Sequence, residues 1–142
     1  MSPDATDNDL DFDLQVEVSP LIPDGKYDVA YVRSEKKWMW RGWKLFLWFQ
    51  VTTLGEYNGV KLYMPCNLPT GKKIRDSSKL GRAWILALGQ KPDRFDRFST
   101  KVFRGKCFQA QVRRVLKSSK QNKLTPEQQY SIIDEITEKV AG

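Results

Sequence analysis

The 142-residue chain contains no histidine. Histidine is the commonest general base near neutral pH and the commonest metal ligand, so one absence removes both roles. Only two cysteines occur, Cys66 and Cys107, and they form no metal-ligand spacing. They fit an intracellular, cytoplasmic protein with reduced thiols. No run of about 18 apolar residues is present, so no membrane span is expected. The opening Met1-Ser2-Pro3-Asp4 is acidic and lacks the basic start and apolar middle of a secretory signal. Internal repeats and low-complexity tracts are also missing.

Motifs for catalysis fail when read residue by residue. Gly71-Lys72 is not a phosphate-binding P-loop, because Cys66 stands at the first required glycine and Lys73 follows the lysine. The run from Asp7 to Asp11 echoes a calcium loop, but its sixth position is Phe12 and its twelfth is Val18. The remaining acids, among them Asp24, Glu35 and Asp96, form no recognisable pair at catalytic spacing. A two-metal nuclease assembled from scattered carboxylates is the one enzymatic alternative. The expectation is a protein that is not an enzyme, with no catalytic residue, no metal and no cofactor.

What is present is segregated charge. The formal net charge is +7, but residues 1–18 carry six acids and no base. Residues 19–123 carry 23 lysines and arginines against 7 acids, a charge of +16. A body of one sign over this length is a candidate polyanion binder, since ordinary surfaces mix signs. Aromatics concentrate in the same body. Four of the five tryptophans lie between Trp38 and Trp48, interleaved with Lys36, Lys37, Arg41 and Lys44. Flat apolar faces beside cations suit single-stranded nucleic acid.

The coarse reading is mainly β. Residues 1–19 read as a disordered acidic tail. Residues 25–35 alternate, with Tyr27, Val29 and Tyr31 on one face. Residues 43–53 are the strongest strand, nearly all β-branched, aromatic or aliphatic. Asn58-Gly59 signals a hairpin turn before a third strand over residues 60–67. A helix follows, capped by Ser77 or Ser78, with Leu80, Ala83, Trp84, Ala87 and Leu88 on one stripe and Gly89 at its end. Residues 101–104 and 106–117 read as two strands joined at Gly105. Thr125-Pro126-Glu127-Gln128 reads as the capped start of a helix, with Ile132, Ile133, Ile136 and Val140 along it. The order predicts an OB-fold five-stranded barrel over residues 20–123, with a helix between strands 3 and 4 and an added C-terminal helix over 124–142.

Strand periodicity separates faces. Trp43, Leu45, Leu47, Phe49 and Val51 form an apolar set and should be buried, since Lys44 and Gln50 on the other face cannot go inside cheaply. Phe46 and Trp48 should then stand outside, with Lys61 and Tyr63 of the third strand, on the face that OB-folds use for ligands. The alternative is that the C-terminal helix covers Phe46 and Trp48. On the last strand Phe108, Ala110 and Val112 should face in, and Arg113 out. Residues 35–42 should form a binding loop in which Lys36, Lys37 and Arg41 reach phosphates and Trp38 or Trp40 clamps a base. Lys72 and Lys73 extend the positive surface.

Several stretches carry a resemblance. They are Ile22-Pro23-Asp24-Gly25-Lys26-Tyr27, Leu45-Phe46-Leu47-Trp48-Phe49-Gln50-Val51, residues 55–62, Leu86-Ala87-Leu88-Gly89 and Phe103-Arg104-Gly105-Lys106-Cys107-Phe108. Over about two thirds of its length the chain resembles the OB-fold single-stranded DNA-binding proteins of phages and mobile elements. The resemblance implies strand protection during replication or recombination. Single-stranded DNA is the expected partner, bound by stacking and Lys/Arg–phosphate contacts without sequence preference. RNA is an alternative, as is a module that recruits a recombinase or replication factor. The acidic tail, with Leu10, Phe12 and Leu14 between aspartates, could dock a protein partner or occupy the protein's own basic groove. The C-terminal helix could pack on its own barrel or on a second copy, which leaves homo-oligomerisation open.

Overall fold

The computed structural model describes residues 20–39, 41–69, 71, 73–117 and 121–142. The tail over 1–19, Trp40 and Lys72 lie outside these. β-branched and aromatic residues dominate the long strands, as their fit to a pleated, half-buried surface requires. The strands are β1 (Gly25–Met39), β2 (Gly42–Val51), β3 (Lys61–Asn67), β4 (Cys107–Val115) and β5 (Tyr130–Ala141). They form one antiparallel sheet in the order β3-β2-β1-β4-β5. The two ends of that order, β3 and β5, come close to each other, with Tyr63 and Tyr130 near enough to interact across the gap. Among the described residues no hydrogen-bonded ladder joins β3 to β5.

One face of the sheet makes the core. Val29, Leu47, Phe49, Leu62, Met64, Phe108, Val112 and Ile133 are fully or almost fully buried there. The one α-helix among the described residues, α1 (Lys79–Leu88), closes this face with Leu80, Ala83, Trp84 and Ala87. Ser78 caps it by accepting from the Gly81 N–H at 3.0 Å, and Gly89 ends it in the left-handed region at φ +85°. Any β-carbon at position 81 would collide with the Arg75 carbonyl, so α1 can approach that backbone only with glycine there.

Three expectations are corrected. Residues 101–104 are not a strand, because Thr100–Phe103 is a 3-10 turn that drops Phe103 into the core. Residues 35–42 are not a loop, because β1 runs on to Met39 and pairs with β2 up to Met39↔Gly42. The chain reverses between Met39 and Gly42, with Arg41 in the left-handed region at φ +61°. The third concerns the C-terminal segment. The capping signals at Thr125 produce only a 3-10 turn over Pro126–Gln128, in which Gln128 Oε1 accepts from the Thr125 N–H at 3.0 Å. Residues 130–141 then form β5, an integral strand and not an added helix.

A clasp joins β5 to the segment before β1. Ser131 is fully buried. Its Oγ accepts from the Ile22 N–H at 2.9 Å and donates to the Ile22 carbonyl at 3.0 Å, and its own N–H donates to the Pro20 carbonyl at 3.0 Å. Each buried polar group there has its partner, as burial demands.

Candidate nucleic-acid interface

A single extra residue on β1 decides which cations meet which aromatics. Tyr31 pairs with Phe49, but Arg33 pairs with Trp48, so Val32 is a bulge. A one-residue slip exchanges the two faces of a strand. Beyond the bulge, Arg33, Glu35 and Lys37 therefore stand on the face away from the core, and Ser34, Lys36 and Trp38 share the side of Leu47, Leu45 and Trp43.

The outer face of β1, β2 and β3 carries three cross-strand rows. They are Arg33–Trp48–Tyr63, Glu35–Phe46–Pro65 and Lys37–Lys44–Asn67. Phe46 and Tyr63 stack with ring centroids 4.9 Å apart and planes 9° from parallel, and Trp48 meets Tyr63 edge-on at 5.1 Å. The Arg33 guanidinium lies 4.9 Å from the Trp48 ring centre, and Lys37 Nζ 5.7 Å from that of Phe46. Trp48 Nε1 donates to Glu35 Oε1 at 3.3 Å, and that oxygen also pairs with Arg33 at 3.6 Å and Lys37 at 3.7 Å. Burial, with Tyr130 adding to it, pushes the Tyr63 hydroxyl well above the usual tyrosine range.

The expected exposure of Phe46 and Trp48 is therefore wrong, since each is only 6% exposed. Neither is covered by a C-terminal helix. Cations reaching over from β1 and the Tyr63 ring on β3 cover them instead. Such a surface is occupied by its own side chains, and its rings are not free platforms for a base.

The free rings are elsewhere. Trp38 is 61% and Trp43 is 46% exposed, although Trp43 belongs by parity to the core set. The reason is overhang. β3 pairs with β2 only as far as Lys44↔Asn67, and β4 pairs with β1 only from Gly25 to Ala30. The end of the β1–β2 hairpin thus projects past the core as an arm. On it Trp38 and Trp43 face each other across the strands, edge to face at 5.4 Å. Lys36 Nζ lies 4.6 Å from the Trp43 ring centre.

Beside the arm is a cleft of ≈ 270 Å³. Lys36 and Trp43 form one wall, and Pro69, Phe95, Asp96 and Phe98 line the rest. Asp96 is held by Arg94 through two hydrogen bonds of 3.0 and 2.8 Å, which keep its carboxyl below the usual carboxylate range. A larger cleft between α1 and the segment after it carries Arg94 and Arg97, but no residue of the arm lines it.

The structure brings Lys36, Lys37, Trp38, Arg41 and Lys44 together on the arm, with Phe46, Trp48 and Tyr63 on the adjoining outer face. Lys44 Nζ donates to Asn67 Oδ1 at 2.6 Å. Lys61 is exposed at the start of β3, and Lys73 is exposed in the loop that borders the cleft. Arg113 is turned to Asp134 on β5, its Nε donating at 2.8 Å. Sequence reasoning missed Arg33, Trp43, Phe95 and Phe98. The bulge at Val32 and the overhang that expose the first two leave no periodic signal, and the last two lie in a segment without repeat.

Among the described residues no three acidic or cysteine side chains gather to hold a metal ion, and no helix is long and apolar enough to cross a membrane. No protein-family model, curated protein or solved structure matches this chain.

Proposed function

We propose that this protein binds single-stranded DNA, largely without sequence preference, on a sheet that curls into an OB-fold barrel. The approach of β3 to β5, with Tyr63 near Tyr130, supports the barrel reading, as does the place of α1 between β3 and β4 in chain order. The observation that carries the function is the exposed Trp38–Trp43 pair on a projecting arm beside Lys36. Two large rings held in water by a rigid hairpin are a stacking surface, and a base stacked on an aromatic is worth about 1–3 kcal/mol. Lys36, Lys37, Arg41, Lys44 and Lys73 then supply phosphate contacts. Within this reading the buried Phe46–Trp48–Tyr63 cluster stiffens the arm's root and holds Arg33 and Lys37 in place. The setting this function fits is replication or recombination of a phage or mobile element.

The test is tryptophan fluorescence titrated with single- and double-stranded oligonucleotides at two salt concentrations. Quenching by single strands is expected, with affinity falling at a log–log slope of roughly −0.7 per neutralised phosphate. Absence of quenching by any single strand at low salt would overturn the proposal and favour a protein partner for the arm.

A further inference from the structure

We propose that the cleft beside the arm is a pocket for one unstacked base of the bound strand, and that it favours a base carrying an amino group. This deepens the single-strand reading and rests on it.

The first argument is size and lining. At ≈ 270 Å³ the cleft falls below the roughly 300–1,000 Å³ of sites for drug-sized ligands, which suits one flat ring system. Its walls are Trp43, Pro69, Phe95 and Phe98, and aromatic or apolar side chains are what an extruded base stacks between. Trp84 packs edge-on against Phe95 at 5.7 Å and against Phe98 at 5.1 Å, so these two walls are anchored to the core and set in advance.

Placement is the second argument. Trp43 is shared between the arm and the cleft, so a strand stacked along Trp38 and Trp43 passes the cleft's mouth. Lys36 lies over the Trp43 ring at the same mouth and can meet the phosphate beside the inserted base.

The third argument is the polar group inside. Asp96 is the one carboxylate lining the cleft, and Arg94 holds both its oxygens from one side. Each oxygen keeps a lone pair, and an ionised carboxylate only accepts. It therefore favours the amino groups of cytosine, adenine and guanine, as carboxylates do with cytosine N4. Thymine presents two carbonyl oxygens and a single N–H on the corresponding edge, so it pairs less well.

The experiment compares an all-thymidine oligonucleotide with the same strand carrying one central cytidine, on wild type and Asp96→Asn. Wild type should bind the cytidine strand more tightly by about tenfold, the value of one hydrogen bond to a charged acceptor. Asp96→Asn should reduce that ratio to about one, because the amide can donate to thymine carbonyls and the lost negative charge tightens the all-thymidine strand. Both partners of Asp96 and Arg94 are on the surface, so the variant should fold, and circular dichroism checks this. Equal affinity of wild type for the two strands would overturn the pocket while leaving single-strand binding intact. A ratio that survives Asp96→Asn would likewise overturn it. Failure of wild type to bind either strand would remove the parent reading and the pocket with it.

Discussion

Lys36 Nζ stands 4.6 Å from the centre of the Trp43 ring, on the only part of the described sheet where tryptophans face water. The cation and the ring hold each other in place while both stay accessible. An exposed contact of this kind contributes about 0.5–1 kcal/mol, enough to orient the pair and too little to fold a domain. Trp38→Ala and Trp43→Ala should therefore each weaken single-strand binding by about 1–3 kcal/mol. Thermal midpoints should move by only a few degrees, because little core is lost. Oligonucleotide titration and a melting curve on the same variants measure both.

Phe46 and Trp48 should behave in the opposite way. Each is almost wholly buried on the outer face and packed on Tyr63. Phe46→Ala and Trp48→Ala should cost about 3–5 kcal/mol of stability in urea denaturation, the usual range for large aromatics truncated in a packed site. Any loss of binding should be recovered at lower temperature, where the folded fraction returns. A stable Trp48→Ala variant that binds poorly would place the stacking surface back on the sheet.

The bulge at Val32 makes a third prediction. Its side chain is 40% exposed, so Val32→Ala should change stability by no more than about 0.5 kcal/mol. Deleting the residue is another matter. Arg33 would then follow Tyr31 directly, and plain alternation keeps it opposite Trp48, so Arg33, Glu35 and Lys37 hold the outer face while the bulge's extra twist is lost. Urea midpoints should show the deletion to be destabilised by about 1–3 kcal/mol, the range of a local backbone change, with no charge moved into the core.

The two thiols should separate by reactivity. Burial pushes the Cys66 thiol up to about 12, partly offset by Lys79, while Cys107 is half-buried on β4. At pH 8, alkylation followed by mass spectrometry should label Cys107 first and Cys66 only after denaturation, since the thiolate is the nucleophile. The same shift makes the folded state hold a proton that the unfolded state has released above about 9. Stability from this group is therefore complete below pH 9 and is lost progressively as pH rises toward 12. Denaturation curves across that window should show the decline.

The parts of the fold legible in the sequence were those where one physical signal acted alone. β2 is a continuous β-prone run, β3 alternates cleanly, and α1 has both its caps. β5 misleads because it is bulged. Ile133 lies opposite Val112, Ile136 opposite Ala110 and Lys139 opposite Phe108, so three residues of β5 span each two of β4. A repeated bulge turns a period of two into a period of three, which imitates a helix. The site was legible in composition but not in face. Lys36, Lys37, Trp38, Arg41 and Lys44 do share the arm, but the register shift at Val32 and the overhang reverse which rings are covered. Neither depends on residue type in a way that a single strand displays.

The Ser131 clasp bears on how the protein is made. Its partner Ile22 lies 109 positions earlier in the chain. During synthesis the segment around Ile22 emerges first and must wait for the last strand before its backbone groups find their partners. Until then β4 has a bare edge and the core lacks Ile133 and Ile136. Contacts this distant in sequence form late and slowly. The interval before residue 131 arrives is thus the period of greatest exposure to aggregation, and chain termination anywhere short of it should leave a product that proteases remove.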